Sequence, residues 1–141
     1  MSFVKTLFAL LAPLAAITMA TATAAGAADR PIKRQDLVGM FDGMRADAPW
    51  NVDGPLLWGY FFLSSDLPKL QAASETLKAD GYRIVQLRAD RSGPKPKWQL
   101  HVERVETHTV ESLLERNEQF YRLAERFGLE SYDGMDVGPA P

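Results

Sequence analysis

The run from Leu56 to Leu63 is apolar on both of its faces, with Trp58, Tyr60 and Phe62 on one side of an extended chain and Leu57, Phe61 and Leu63 on the other. A segment patterned this way is buried above and below, so it belongs in the middle of a sheet. The rest of the chain must then supply the strands that flank it and the helices that cover it. There is no cysteine in the sequence, so packing alone has to hold that arrangement together.

The neighbouring segments can be read the same way. From Asp36 to Arg45, Leu37, Met40, Phe41 and Met44 recur at three- and four-residue spacing, which predicts a short helix lying on something apolar. A loop from Ala48 to Pro55, punctuated by proline and glycine, leads into the apolar strand. Asp66 then caps a second helix whose first turn accepts Pro68, whose stripe is Leu67, Leu70, Ala73 and Leu77, and which Gly81 stops. Tyr82 to Ala89 alternates, placing Val85, Leu87 and Ala89 against Ile84, Gln86 and Arg88.

After a turn over Arg91 to Pro96, a third strand runs from Lys97 to Val105, with Trp98, Leu100 and Val102 opposite Gln99, His101 and Glu103. The two strands make a hairpin. The strongest helical period follows, over Val110, Leu113, Leu114, Asn117, Phe120, Tyr121, Ala124 and Phe127, with Thr107 or Thr109 as N-cap and Gly128 as its end. Ser131 to Pro139 closes the chain as a short edge strand.

This order predicts an α+β fold of the ferredoxin-like βαββαβ type, an antiparallel sheet with two helices on one face, plus a short N-terminal helix. The expected core residues are Leu57, Phe61, Leu63, Val85, Leu87, Trp98, Leu100 and Val102. The other face then carries Trp58, Tyr60 and Phe62 beside Ile84, Gln86, Arg88 and His101. Such a row of aromatics reads either as a protein-binding or homodimer surface or as a face that the N-terminal helix folds back to cover.

The N-terminus sets an address. Lys5 precedes an uncharged run from Thr6 to Met19, and a small-residue stretch with Ala-x-Ala sites ending at Ala22, Ala24 and Ala27 comes next. We read residues 1–27 as a signal peptide and residues 36–138 as one domain, which places the mature protein in the periplasm or outside the cell with no stable membrane insertion after cleavage. Beyond Lys5 the chain holds 15 basic against 18 acidic residues. That mild acidity argues against direct nucleic-acid binding, which needs a basic footprint.

Candidate chemistry is sparse. His101 and His108 lie near Glu103 and Glu106, but neither spacing is a metal-ligand pattern, and Asp133-x-x-Asp136 lacks the alternating oxygens of a calcium loop. No Gly-x-Ser-x-Gly is present. We therefore expect no enzyme, no cofactor and no metal site, with a small metal-dependent hydrolase using His101 and Glu103 as the alternative.

Trp58-Gly59-Tyr60-Phe61-Phe62, Gly81-Tyr82 at the start of the second strand, Trp98 opening the third and the closing Tyr132-Asp133-Gly134 together resemble the RraB-like family, regulator of ribonuclease E activity B. The resemblance covers about Asp36 to Gly138, and its most specific part is the terminal Tyr-Asp-Gly, after which this chain has Met135. It implies a ferredoxin-like, non-enzymatic domain that binds a larger protein and modulates it, and it transfers no catalytic residue. The binding residues we take from this reading are Trp58, Tyr60, Phe62, Arg88, His101, Tyr132, Asp133 and Gly134. The family's namesake target is a cytoplasmic ribonuclease, which an exported domain does not meet. Regulation of that ribonuclease is the alternative if the chain stays in the cytoplasm.

Overall fold

The computed structural model describes residues 30–141. The signal peptide read over residues 1–27 lies outside the described residues. Three helices and four strands follow one another as α1 (Arg34–Asp47), β1 (Leu56–Ser64), α2 (Leu67–Ala79), β2 (Arg83–Asp90), β3 (Lys97–Glu106), α3 (Val110–Phe127) and β4 (Ser131–Pro139). The local signals act where expected. Asp66 Oδ1 accepts from the Lys69 N–H at 3.2 Å, Thr109 Oγ1 accepts from the Ser112 N–H at 3.1 Å, and Gly128 ends α3 in the left-handed region at φ 64°. No helix among the described residues is long and apolar enough to cross a membrane.

The strands form one antiparallel sheet in the order β2-β3-β1-β4, with β1 and β3 at its centre. Its register settles which face is the core. Tyr60 lies opposite Val102 and Met135, and Phe62 opposite Leu100 and Tyr132, so the aromatic side of β1 joins the apolar sides of β3 and β4. Trp58, Tyr60 and Phe62 are fully buried. Phe120 of α3 meets Tyr60 and Phe62 edge-on at 4.7 and 5.3 Å, and Phe41 of α1 lies 6.1 Å from Trp58. All three helices therefore pack on this one face.

These contacts correct the sequence reading in three places. Leu57, Phe61 and Leu63, expected in the core, lie on the opposite face and are only half-buried, outside the core cluster. Val85, also expected in the core, falls where the β2–β3 register slips between Ile84 and Gln86. The extra residue of that bulge brings Ile84 and Leu87 to the same side, opposite Val102 and Leu100, although strict alternation separates them. Finally, α1 does bury an aromatic of β1, but it does so beside α3, leaving the second sheet face uncovered by any described helix.

The chain entering α1 is fastened down as well. Arg30 reaches both carboxylate oxygens of Glu118 at 3.0 and 3.1 Å and Glu125 at 2.5 Å, and its guanidinium stacks over the Tyr121 ring. The Ile32 N–H donates to the Tyr121 hydroxyl. A bidentate pair of this kind fixes orientation as well as distance.

Candidate functional site

Four of the sequence-predicted binding residues are in the core. Trp58, Tyr60, Phe62 and Tyr132 present no usable surface, because α1 and α3 cover them. Gly134 is buried at φ 99° in the irregular stretch of β4 opposite Phe61, where a left-handed residue lets the strand bulge. Asp133 beside it is exposed. Arg88 and His101 do lie on the uncovered sheet face, and Arg88 donates to Gln99 Oε1 at 3.2 Å.

That face centres on Gly59. Directly across from it stand Glu103 on β3 and Asp136 on β4, and Arg83 of β2 pairs with Glu103. The His101 and Asp136 side chains lie over the glycine: a Cβ there would overlap Asp136 Oδ1 and stand 2.7 Å from His101 Nε2. His101 Nε2 and Asp136 Oδ1 are 3.9 Å apart, within ion-pair reach when the imidazole is protonated. Phe61 stacks on the imidazole, with ring centroids 4.3 Å apart. Leu57, Leu63 and the 45 % exposed Val105 complete an apolar stripe along the two central strands.

Gly59, Phe61 and Asp136 were missed as neighbours of His101, and Glu103, which the sequence reading set beside His101, pairs with Arg83 instead. The glycine was the readable signal, since a gap in the Leu57, Phe61, Leu63 row argues that something other than core packing uses that side. We expect Gly59→Ala to push the Asp136 and His101 side chains apart while costing only about 1 kcal/mol, because both obstructing atoms end flexible side chains. A shifted His101 imidazole resonance with little change in unfolding midpoint is the expected observation. An unmoved resonance would contradict it.

A second polar cluster lies at the helical end of β3. Glu106 accepts from the Tyr60 hydroxyl at 3.0 Å, from Arg104 at 3.1 Å and from Arg116 at 2.8 Å, and His108 Nε2 stands 3.4 Å away. Burial by itself raises the Glu106 pKa, but His108, Arg116 and Arg104 outweigh it and bring the carboxyl from 4.5 down to about 2. Burial, reinforced by Glu106, pushes the Tyr60 hydroxyl far up, so it stays a neutral donor.

Ser112 Oγ lies 2.9 Å from His108 Nδ1, which together with Glu106 sets out a serine, a histidine and a carboxylate in a chain. The hydroxyl is already committed to the α3 cap, accepting from the Thr109 N–H and donating to the Thr109 carbonyl. His108 is itself buried against the Trp58 ring. The cluster is a clamp joining β1, β3 and α3.

The expected metal-enzyme alternative finds no support in this geometry. Glu103 turns to Arg83 and His101 to Asp136, and no group of three or more His, Cys, Asp or Glu among the described residues is placed to hold a metal ion. The face that no described helix covers carries Leu57, Phe61, Leu63 and Val105 around a central polar group of Glu103, His101 and Asp136.

No curated protein matches the chain. Residues 39–137, more than half of its length, match the family described as regulator of ribonuclease activity B. The match spans β1 to β3, α3 and nearly all of β4, the elements that frame both the aromatic core and the uncovered face, and the chain belongs to the family of regulators of ribonuclease activity B.

Proposed function

We propose that this domain is a non-enzymatic regulatory module that acts outside the cytoplasm and binds another protein through the sheet face that no described helix covers. Membership of a family of regulators carries the reading, because a regulator without catalytic machinery of its own works by contact. The apolar stripe of Leu57, Phe61, Leu63 and Val105, edged by Arg83, Arg88 and Asp136, supports that face as the place. The charged start, apolar run and Ala-x-Ala sites of residues 1–27 support export. The strand order β2-β3-β1-β4, with α2 and α3 as its crossovers, supports a ferredoxin-like arrangement.

The family's description favours a second reading, a ribonuclease as the target, which this chain would meet in the cytoplasm if it is not exported. Mass spectrometry of the N-terminus of the purified protein separates the two, since a chain beginning after Ala22, Ala24 or Ala27 has been exported. Crosslinking in the cell followed by identification of the captured protein tests the face. Phe61→Ala and Val105→Asp should each reduce capture by about tenfold or more, the effect of losing an anchor residue. A partner retained equally by both folded variants would rule this face out.

A further inference from the structure

Asp136 is the carboxylate on the uncovered face that no fixed cation balances. Arg83 and Glu103 pair with each other, and Arg88, donating to Gln99 Oε1, stands on the β2 edge. Three strand spacings of about 4.8 Å separate that edge from β4, so Arg88 acts on Asp136 only across more than one screening length of about 8–10 Å. Among the described residues Asp136 pairs with no lysine or arginine, and His101 Nε2, 3.9 Å from Asp136 Oδ1, pairs with it only when protonated.

The surroundings of this carboxylate leave room for one more group. Its side chain leans inward over Gly59, and Gly138, two positions further along β4, has open space where a Cβ would stand. Leu57 lies directly opposite Gly138 and Val105 directly opposite Leu57, so an apolar ridge borders that space on its inner side. The Asp136 side chain is 22 % exposed, which leaves it in contact with water.

A partner that covers this face with apolar side chains alone takes the carboxylate out of that water and gives it no cation in return, a cost that burial of the stripe must first offset. An acidic partner adds repulsion. A lysine or arginine over Gly138 instead replaces water with a charge-assisted hydrogen bond, and its aliphatic stem lies along Leu57.

We propose that the protein bound on this face presents a lysine or arginine between apolar side chains, its cation seated over Gly138 against Asp136 and its apolar flanks on Leu57, Phe61 and Val105. This deepens the reading of that face as a binding surface and rests on it.

Four synthetic helical peptides are the probes. Three share one leucine-lined face and differ in its central residue, which is lysine, glutamine or glutamate. The fourth has the central glutamine with a lysine moved to its polar side, which matches the net charge of the first. Fluorescence anisotropy at pH 8, where an ordinary imidazole is neutral, reads their affinities for the protein purified from cells expressing the full-length sequence.

The central-lysine peptide should bind about tenfold or more tighter than the glutamine peptide and the charge-matched fourth, with the glutamate peptide weakest. Asp136→Asn, which keeps the shape, should abolish the preference, and Asp136→Lys should place the glutamate peptide first. Thermal unfolding reports whether each variant is folded, and the ranking of the four peptides on wild type decides the matter if the variants are not.

Equal binding of the central-lysine and charge-matched peptides, a preference that survives Asp136→Asn, or no binding of any peptide would overturn the proposal. A crosslinked cellular partner lost on Phe61→Ala and Val105→Asp but retained on Asp136→Asn would remove the cation and leave the face standing. One retained by all three variants would remove the face itself.

Discussion

Trp58→Ala should destabilise the domain by about 3–5 kcal/mol, and Phe61→Ala, three residues further along the same strand, by only about 1 kcal/mol. Trp58 is fully buried, with Phe41 and His108 packed around its indole, so truncation opens a cavity that α1 cannot follow without losing its own contacts. Phe61 is half-buried on the face that no described helix covers. Domains of this size have stabilities of about 5–15 kcal/mol, so the first change removes a large share and lowers the thermal midpoint by more than about 10 °C. Thermal unfolding of both variants checks the ordering. A Phe61→Ala protein less stable than Trp58→Ala would return the core to the other side of β1.

Glu106→Gln is the second large effect, at about 3 kcal/mol or more at neutral pH. The substitution keeps the shape but leaves Arg104, Arg116 and His108 around a neutral amide, and removing one partner of a buried ionic cluster costs more than the cluster contributed. The same carboxylate gives wild type a pH dependence. Its pKa is 4.5 when unpaired and about 2 when folded, so its contribution is present above pH 4.5 and is lost as the pH falls towards 2.

A shift of this size corresponds to about 3 kcal/mol, trimmed towards about 2 because Arg104 and Arg116 are partly exposed to water. Urea unfolding across that interval should show wild type losing stability faster than Glu106→Gln, with the two curves converging at the acid end. Parallel curves would show that Glu106 is not held by its cations.

Much of the architecture was legible because it depends on local chemistry. Asp66, Thr109, Gly81 and Gly128 act on the backbone within a few residues, so they mark helix boundaries whatever the chain packs against. The stripe on α3 was equally plain, and Leu113, Phe120, Tyr121 and Ala124 are buried as its period requires. Leu100 and Val102 were also placed correctly, since β3 alternates cleanly between apolar and polar residues.

β1 was different in kind. With apolar residues on both sides, its alternation says nothing about which side meets the helices, and the larger aromatic side, which removes more surface from water, became the core. The bulge in β2 defeated period two differently: one extra residue brings Ile84 to the side of Leu87, so Leu87 and Arg88 fall on the faces that alternation gives them while Ile84 and Val85 do not. The inverted faces carried the candidate site with them, so His101 and Arg88 were found while Phe61, Gly59 and Asp136 were not.

Sequence alone determined the elements, their order, the central place of the Leu56 to Leu63 strand and, through Trp58-Gly59-Tyr60-Phe61-Phe62 and Tyr132-Asp133-Gly134, the family. Tertiary structure alone decided which side of that strand is buried, where α1 lies, and that Arg30 is tied to a helix 88 positions away. The division has one physical cause. Propensity, capping and period act between residues a few positions apart, whereas face and register are chosen by contacts between strands and helices distant in sequence, and an apolar residue alone does not specify the partner it will meet.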